Sequence, residues 1–181
     1  MNISVFLSYP QPCFTKQKGF IDRVGGTLRN HGFEPRTLGV TDYDVDAPLK
    51  AIRRLMLESN GLITIAFRRT FVEKGTSRYT SDMPGQEPRS IDGKWITSPW
   101  SQIEAAMAYQ LGLPVLIFRE KGVLEEGILE KGVLGTYMPE FDLSGSVDDY
   151  INSPEMNSII GKWEGFVRSV VERKGNPPQL Y

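Results

Sequence analysis

Leu62-Ile63-Thr64-Ile65-Ala66-Phe67 decides the fold of this chain. A strand with one wet face alternates apolar and polar residues. This run is apolar at odd and even positions alike, so it belongs to a sheet covered on both faces, as parallel sheets are. Parallel strands need crossover helices, and the flanking sequence supplies them. Upstream, Pro48 opens a helix with Leu49, Ile52, Leu55 and Met56 on one face. Before it comes a polar loop, Gly39 to Ala47, and a weaker strand, Phe33 to Leu38. Earlier still, Phe20, Ile21, Val24 and Leu28 keep helical spacing, and His31-Gly32 ends that helix. The first strand is Ile3 to Ser8, closed by the turn Tyr9-Pro10-Gln11-Pro12.

Downstream, Phe71 to Ile96 is a long stretch containing Gly, Ser and Pro, either a functional flap or disordered. A helix from Ser98 ends at Gly112, and Leu113 to Phe118 is a fourth buried strand. Ser153-Pro154 starts a last amphipathic helix carrying Met156, Ile159, Ile160, Trp163, Val167 and Val170. The expected organisation is one domain over residues 1–174, with an insertion at about 71–97 and a loose tail at 175–181. The β-α-β-α order predicts an α/β, flavodoxin-like doubly wound parallel sheet with helices on both faces. Ligands in such sheets bind at the carboxyl ends of the strands. The loops after Ser8 and Leu38, the segment after Phe67 and the start of the Ser98 helix all lie at that edge.

Composition narrows the function. The chain has 181 residues, with 21 Lys and Arg against 22 Asp and Glu, and the basic residues are scattered. Neither a nucleic-acid footprint nor an anionic-membrane patch is indicated. Cys13 is alone, so no internal disulfide forms. No apolar stretch approaches bilayer length and no signal peptide is evident, so a cytoplasmic protein is expected. There is no glycine-rich dinucleotide fingerprint and no P-loop.

Chemistry concentrates in Ser98-Pro99-Trp100-Ser101-Gln102-Ile103-Glu104. Ser98 suits an N-cap and Pro99 the first helical position. Trp100 and Glu104, at i and i+4, share a face, placing an acid beside a flat apolar wall. An acid so placed is partly desolvated and can meet the ribose of a nucleotide lying against the indole. Plainer readings stand beside this one. Trp100 can be a core residue, since Ile103, Met107 and Leu111 share its helix, and Glu104 a solvated charge. Tyr9 can simply close the first strand. His31 reads as a helix-end residue. Asp42, Asp44 and Asp46 alternate as in a calcium loop, but Ala47 and Arg53 occupy the positions that need Gly and Glu, so a solvated acidic loop is expected and no metal.

Several of these residues resemble one family. Val5-Phe6-Leu7-Ser8-Tyr9 is similar to the first box of Toll/interleukin-receptor (TIR) domains. His31-Gly32-Phe33-Glu34-Pro35 resembles their approach to the second strand, and Gly61 to Ala66 their third. Trp100 and Glu104 resemble the W-x-x-x-E pattern of TIR domains that cleave NAD. The resemblance implies cleavage of the nicotinamide–ribose bond, releasing ADP-ribose or a cyclised or transferred form of it. NAD is then the substrate, and no cofactor is needed. Glu104 is implied as the catalytic acid residue, holding the ribose and stabilising oxocarbenium-like charge. Trp100 lines the pocket, Ser8, Tyr9 and Pro10 contact the ligand from the first loop, and the loop from Gly39 to Ala47 serves gating and assembly. Many active members carry a basic residue where this chain has Pro10; Arg36, Arg68 or Arg69 is then left to neutralise the pyrophosphate. Self-association and a downstream effector are the implied partners, as in stand-alone bacterial antiphage TIR proteins of the Thoeris kind.

A second resemblance competes. Glu104 to Val115 is similar to the E-x-G-x-A-x-x-x-G-x-P-V run of nucleoside 2-deoxyribosyltransferases, whose Glu attacks a nucleoside ribose. Both readings put N-glycosidic chemistry on Glu104 and differ in substrate. A third possibility is a non-catalytic TIR-like scaffold that binds a nucleotide or self-associates.

Overall fold

The computed structural model describes residues 3–135 and 137–173. Its centre is a five-stranded, wholly parallel sheet. The strands are β1 (Ile3–Ser8), β2 (Phe33–Arg36), β3 (Leu62–Ala66), β4 (Val115–Glu120) and β5 (Glu140–Phe141). Their order across the sheet is β2-β1-β3-β4-β5, the flavodoxin-like arrangement. The connecting helices are α1 (Thr15–Asn30), α2 (Pro48–Leu57), α3 (Pro99–Gln110), the short α4 (Val147–Ile151) and α5 (Pro154–Glu172).

Period-two alternation sorts the strand side chains into two cores. Val5, Leu7, Ile63, Ile65, Leu116 and Phe118 face α1 and α5, meeting Phe20, Val24, Ile160 and Trp163. Phe6, Leu62, Ala66, Val115 and Ile117 face the other way, onto Ile52, Leu55 and Met56 of α2 and Ala105 and Ala108 of α3. Every residue of β3 is buried, as its double-sided apolar pattern requires. The doubly wound fold is thus as expected.

The differences are local. Leu49 is exposed, and Ala51 takes the buried place on α2, because the apolar stripe begins one turn later. β4 starts at Val115 and runs on through Arg119 and Glu120 instead of stopping at Phe118. Pro114 has no N–H to give a ladder, and both charged residues find partners inside. The Arg119 guanidinium is fully buried and donates to the Leu129 carbonyl at 2.9 Å, to Glu125 at 2.9 Å and to Glu140 at 2.8 Å. That ties the loop after β4 to β5. The two-residue β5 and the five-residue α4 were too short to leave a periodicity.

The insertion is a β-ribbon. Thr70–Val72 pairs antiparallel with Lys94–Ile96, and farther out Thr76–Ser77 pairs with Arg89–Ser90. Trp95 anchors its base: the indole lies 5.0 Å from the Phe71 ring and 6.4 Å from that of Phe14, centroid to centroid. The Trp95 backbone bonds to Gly122 and Leu124. The tail expected to be loose, 175–181, lies outside the described residues. Among the described residues no helix is long and apolar enough to cross a membrane.

Candidate active site

Two elements bring the site together. β1 delivers Ser8 to the carboxyl edge of the sheet, and the chain then turns through Tyr9 and the buried Pro10. α3 begins beside that edge. The Ser98 hydroxyl accepts from the Trp100 amide at 3.3 Å, and Pro99 occupies the first turn, as the sequence pattern predicts. The helix packs on the sheet through Ser101, Ala105 and Ala108. Side chains this small let α3 lie close to β3, and they rotate the Trp100–Glu104 edge away from the core. Trp100 is 40 % exposed and Ile103 38 %, so the stripe that could have made Trp100 a core residue is only partly buried, through Met107 and Leu111.

Ser8, Tyr9, Pro10, Trp100 and Glu104 line one cleft of about 330 Å³, together with Ser98 and Ser101. The opposite wall comes from Leu38, Pro48 and Ile52, which flank or follow the acidic loop. The Ser8 hydroxyl donates to Glu104 Oε2 across 96 residues of sequence. Burial pushes the Glu104 carboxyl up to about 7, and the Ser8 hydrogen bond opposes that shift by favouring the ionised form. A carboxylic acid poised to titrate near neutrality, in a cleft with an indole wall, is a candidate reactive group.

Two of the expected cationic ligands are elsewhere. Arg36 is held by Asp42 and, at 2.8 Å, by Glu58, and its guanidinium does not line the cleft. Arg36 in turn holds the Asp42 carboxyl below its usual range. Arg68 turns to the other side of the strand, where Nε donates to the Lys121 carbonyl at 2.5 Å and the guanidinium lies 5.8 Å from the Trp95 ring centre. Arg69 is the basic residue in the cleft wall. It is exposed, and its side chain makes no hydrogen bond or ion pair among the described residues. Adjacent residues leaving β3 diverge, so Arg68 and Arg69 cannot both face one cleft. Sequence reasoning had no way to tell which.

Sequence reasoning also missed Gln11, Leu38, Pro48 and Ile52 as lining residues. Their only signal was position: Gln11 and Leu38 lie just beyond the carboxyl ends of β1 and β2, and Pro48 and Ile52 stand in the first two turns of α2. The acidic loop is held by ion pairs: Asp42 with Arg36, Asp44 with Arg54 at 2.9 Å, and Asp46 with Lys50 at 3.8 Å. Among the described residues no cluster of His, Cys, Asp and Glu is arranged to hold a metal ion.

No protein-family model matches the chain, and no curated protein does. Solved structures with a similar course of chain include a CMP N-glycosidase of Clostridium botulinum, BcmB. It has a TM-score of 0.48 and 15% identity, over 85% of this chain and 98% of that one. Another is the TIR domains of the activated Roq1 resistosome that directly recognises the pathogen effector XopQ. The TM-score there is 0.41 and the identity 13%, over 94% of this chain and 84% of the other.

Proposed function

We propose that this chain is an enzyme that cleaves the N-glycosidic bond of a nucleotide, that Glu104 is its reacting carboxylate, and that NAD is its substrate. One observation carries the reading: a desolvated carboxyl, hydrogen-bonded by Ser8 and flanked by Trp100, at the carboxyl edge of a doubly wound sheet. The resemblance of Ser8, Tyr9, Trp100 and Glu104 to the TIR boxes supports NAD in particular, with residues 1–174 acting as one such domain.

In this mechanism the bond from ribose C1′ to the nicotinamide nitrogen breaks. Its electron pair goes to the ring nitrogen and neutralises the pyridinium. The leaving group departs neutral, so no general acid is needed. Positive charge develops on the ribose, and the Glu104 carboxylate stabilises it from within a low-dielectric cleft. Water then adds at C1′ and releases a proton to solvent, giving ADP-ribose. If a nucleophile within the substrate adds instead, the product is cyclic. Trp100 offers a flat wall to the leaving ring or the ribose, and Arg69 offers a cation to the pyrophosphate. Self-association and an effector that reads the product, as in antiphage signalling, belong to the same reading.

The size of the cleft favours one alternative. At about 330 Å³ it lies near the lower end of small-molecule sites, roughly 300–1,000 Å³. A nucleoside fits that space, as the 2-deoxyribosyltransferase resemblance implies. The test is chromatography with mass spectrometry on the protein with NAD, at high and low protein concentration, beside Glu104→Gln. The expected result is nicotinamide release that falls by about 10²-fold or more in the variant, which stays folded. Full turnover by Glu104→Gln would remove Glu104 from the mechanism. Base release from deoxynucleosides, with NAD untouched, would favour the alternative; concentration-dependent binding without cleavage would favour a scaffold.

A further inference from the structure

One polar side chain in the Glu104 cleft is explained neither by packing nor by a partner. Ser101 lines the cleft and is 1 % exposed, and its hydroxyl has no hydrogen-bond partner. Close approach of α3 to the sheet asks only for a small side chain, and alanine meets that need at 105 and 108. Burying a hydroxyl without a partner costs free energy that an alanine would avoid. The place of Ser101 in the helix accounts for its isolation. It is the third residue of α3, so the carbonyl four residues back, which a serine deeper in a helix can use, belongs to Thr97 outside the helix.

The Glu104 carboxyl has room for what Ser101 offers. Among the described residues its one hydrogen bond comes from Ser8 and goes to Oε2, so Oε1 accepts none. Ser101 and Glu104 stand at i and i+3, neighbours on the helix surface. Helical side chains lean toward the N-terminus, so the Glu104 carboxyl reaches back over the turn that carries Ser101. We infer that Ser101 is a positioning residue for Glu104: its hydroxyl turns to donate to Oε1 when the carboxyl is ionised, while Ser8 holds Oε2. Donors from two elements, β1 and α3, then fix the plane of the carboxylate that faces the sugar. The role in catalysis rests on the function proposed above and deepens it; the contact itself does not depend on the substrate. Arg69 and Tyr9 are the other titratable groups lining the cleft, and the remaining lining residues are uncharged.

The test is a carbon-13 NMR titration of the full chain labelled at its Glu carboxyls, with the Glu104 signal identified by its loss in Glu104→Gln. Wild type should titrate at about 7. Ser101→Ala is expected to raise that midpoint by about one pH unit, because the donor it removes favours the ionised form. Its kcat/KM for NAD should fall about tenfold at pH 6 and stay within about twofold of wild type at pH 9, where both carboxyls are ionised. Its melting curve at pH 4, where the carboxyl is neutral in both proteins, should match or exceed that of wild type. Thr64→Val is the control. Thr64 stands beside Ser8 in the β1–β3 register, is fully buried and has an equally unpartnered hydroxyl, but it does not line the cleft. Its midpoint should not move. A wild-type midpoint in Ser101→Ala would overturn the inference, as would an equal shift in Thr64→Val; NAD cleavage in the same samples would leave Glu104 chemistry standing. A midpoint that moves only in Ser101→Ala, with no NAD cleaved at any pH, would support the contact and remove NAD as the substrate.

Discussion

Burial raises the Glu104 carboxyl and the Ser8 hydroxyl holds it down, so the two residues set the pH range of the chemistry between them. Stabilising an oxocarbenium-like ribose requires the ionised form. Activity (kcat/KM) is therefore expected to rise with pH through about 7. Ser8→Ala removes the contact that favours the carboxylate, so its profile should shift to higher pH; an unmoved midpoint would mean the contact does not tune the acid. The same shift has a stability consequence. A carboxyl raised on folding makes the folded state lose stability as pH climbs from the ordinary Glu value to about 7, and no more beyond it. Glu104→Gln escapes that loss. It should melt higher than wild type at pH 8, by on the order of 1–2 kcal/mol once solvent screening is allowed for, with the advantage shrinking toward pH 4. Trp100 contrasts with Glu104 in being 40 % exposed. Trp100→Ala should weaken nucleotide binding about tenfold while costing roughly 1–3 kcal/mol in a urea melt, because about half of the indole is out of water and the rest faces the cleft. A large drop in stability with binding unchanged would return Trp100 to a structural role. Ser98, Trp100 and Glu104 were legible in sequence because capping and i, i+4 geometry are local rules. Their meeting with Ser8 was not, since it depends on how α3 lies across β1 and β3.

Among the elements, α3 shows how small side chains can build a site. Ser101, Ala105 and Ala108 let the helix sit down on the sheet, so its larger residues are left to form a cleft wall. Close approach recurs on the opposite face, at the start of β3. A Cβ on Gly61 would lie 2.6 Å from Val167 Cγ2 and 3.0 Å from Trp163 Cζ2 of α5. Gly61→Ala is expected to cost roughly 1–3 kcal/mol by overpacking, measured by chemical denaturation, and Val167→Ala in the same chain should recover part of it. Additive losses would show that the two sites do not touch. The apolar stripes of α1, α2 and α5 were readable from spacing, with Leu49 the exception at the first turn of α2. β5 was not readable. Its two residues are held by their pairing with Arg119 and Glu120 and by the Arg119–Glu140 ion pair, none of which leaves a pattern in the chain.

Across the whole molecule, the sheet and the ribbon are separable. The ribbon leaves after β3 and returns before α3, and its ends are pinned by the Thr70–Val72 ladder and by Trp95. Its outer residues Tyr79 and Met83 are exposed. Replacing the chain between Val72 and Lys94 by a two-residue Asn-Gly turn keeps that ladder and should change stability by less than about 1 kcal/mol in a thermal melt. A large loss would show that the outer ribbon packs on the body. The sequence by itself determined the doubly wound class, the strand and helix succession and the Trp100–Glu104 pair. Each of these follows from hydrophobic period, capping and chain order, which act over a few residues. The tertiary structure alone decided that Ser8 bonds to Glu104 and that Arg69 and not Arg36 or Arg68 faces the cleft. These outcomes depend on the direction in which a side chain leaves its strand and on which charges lie within reach after packing. Both are set by contacts between residues far apart in the chain.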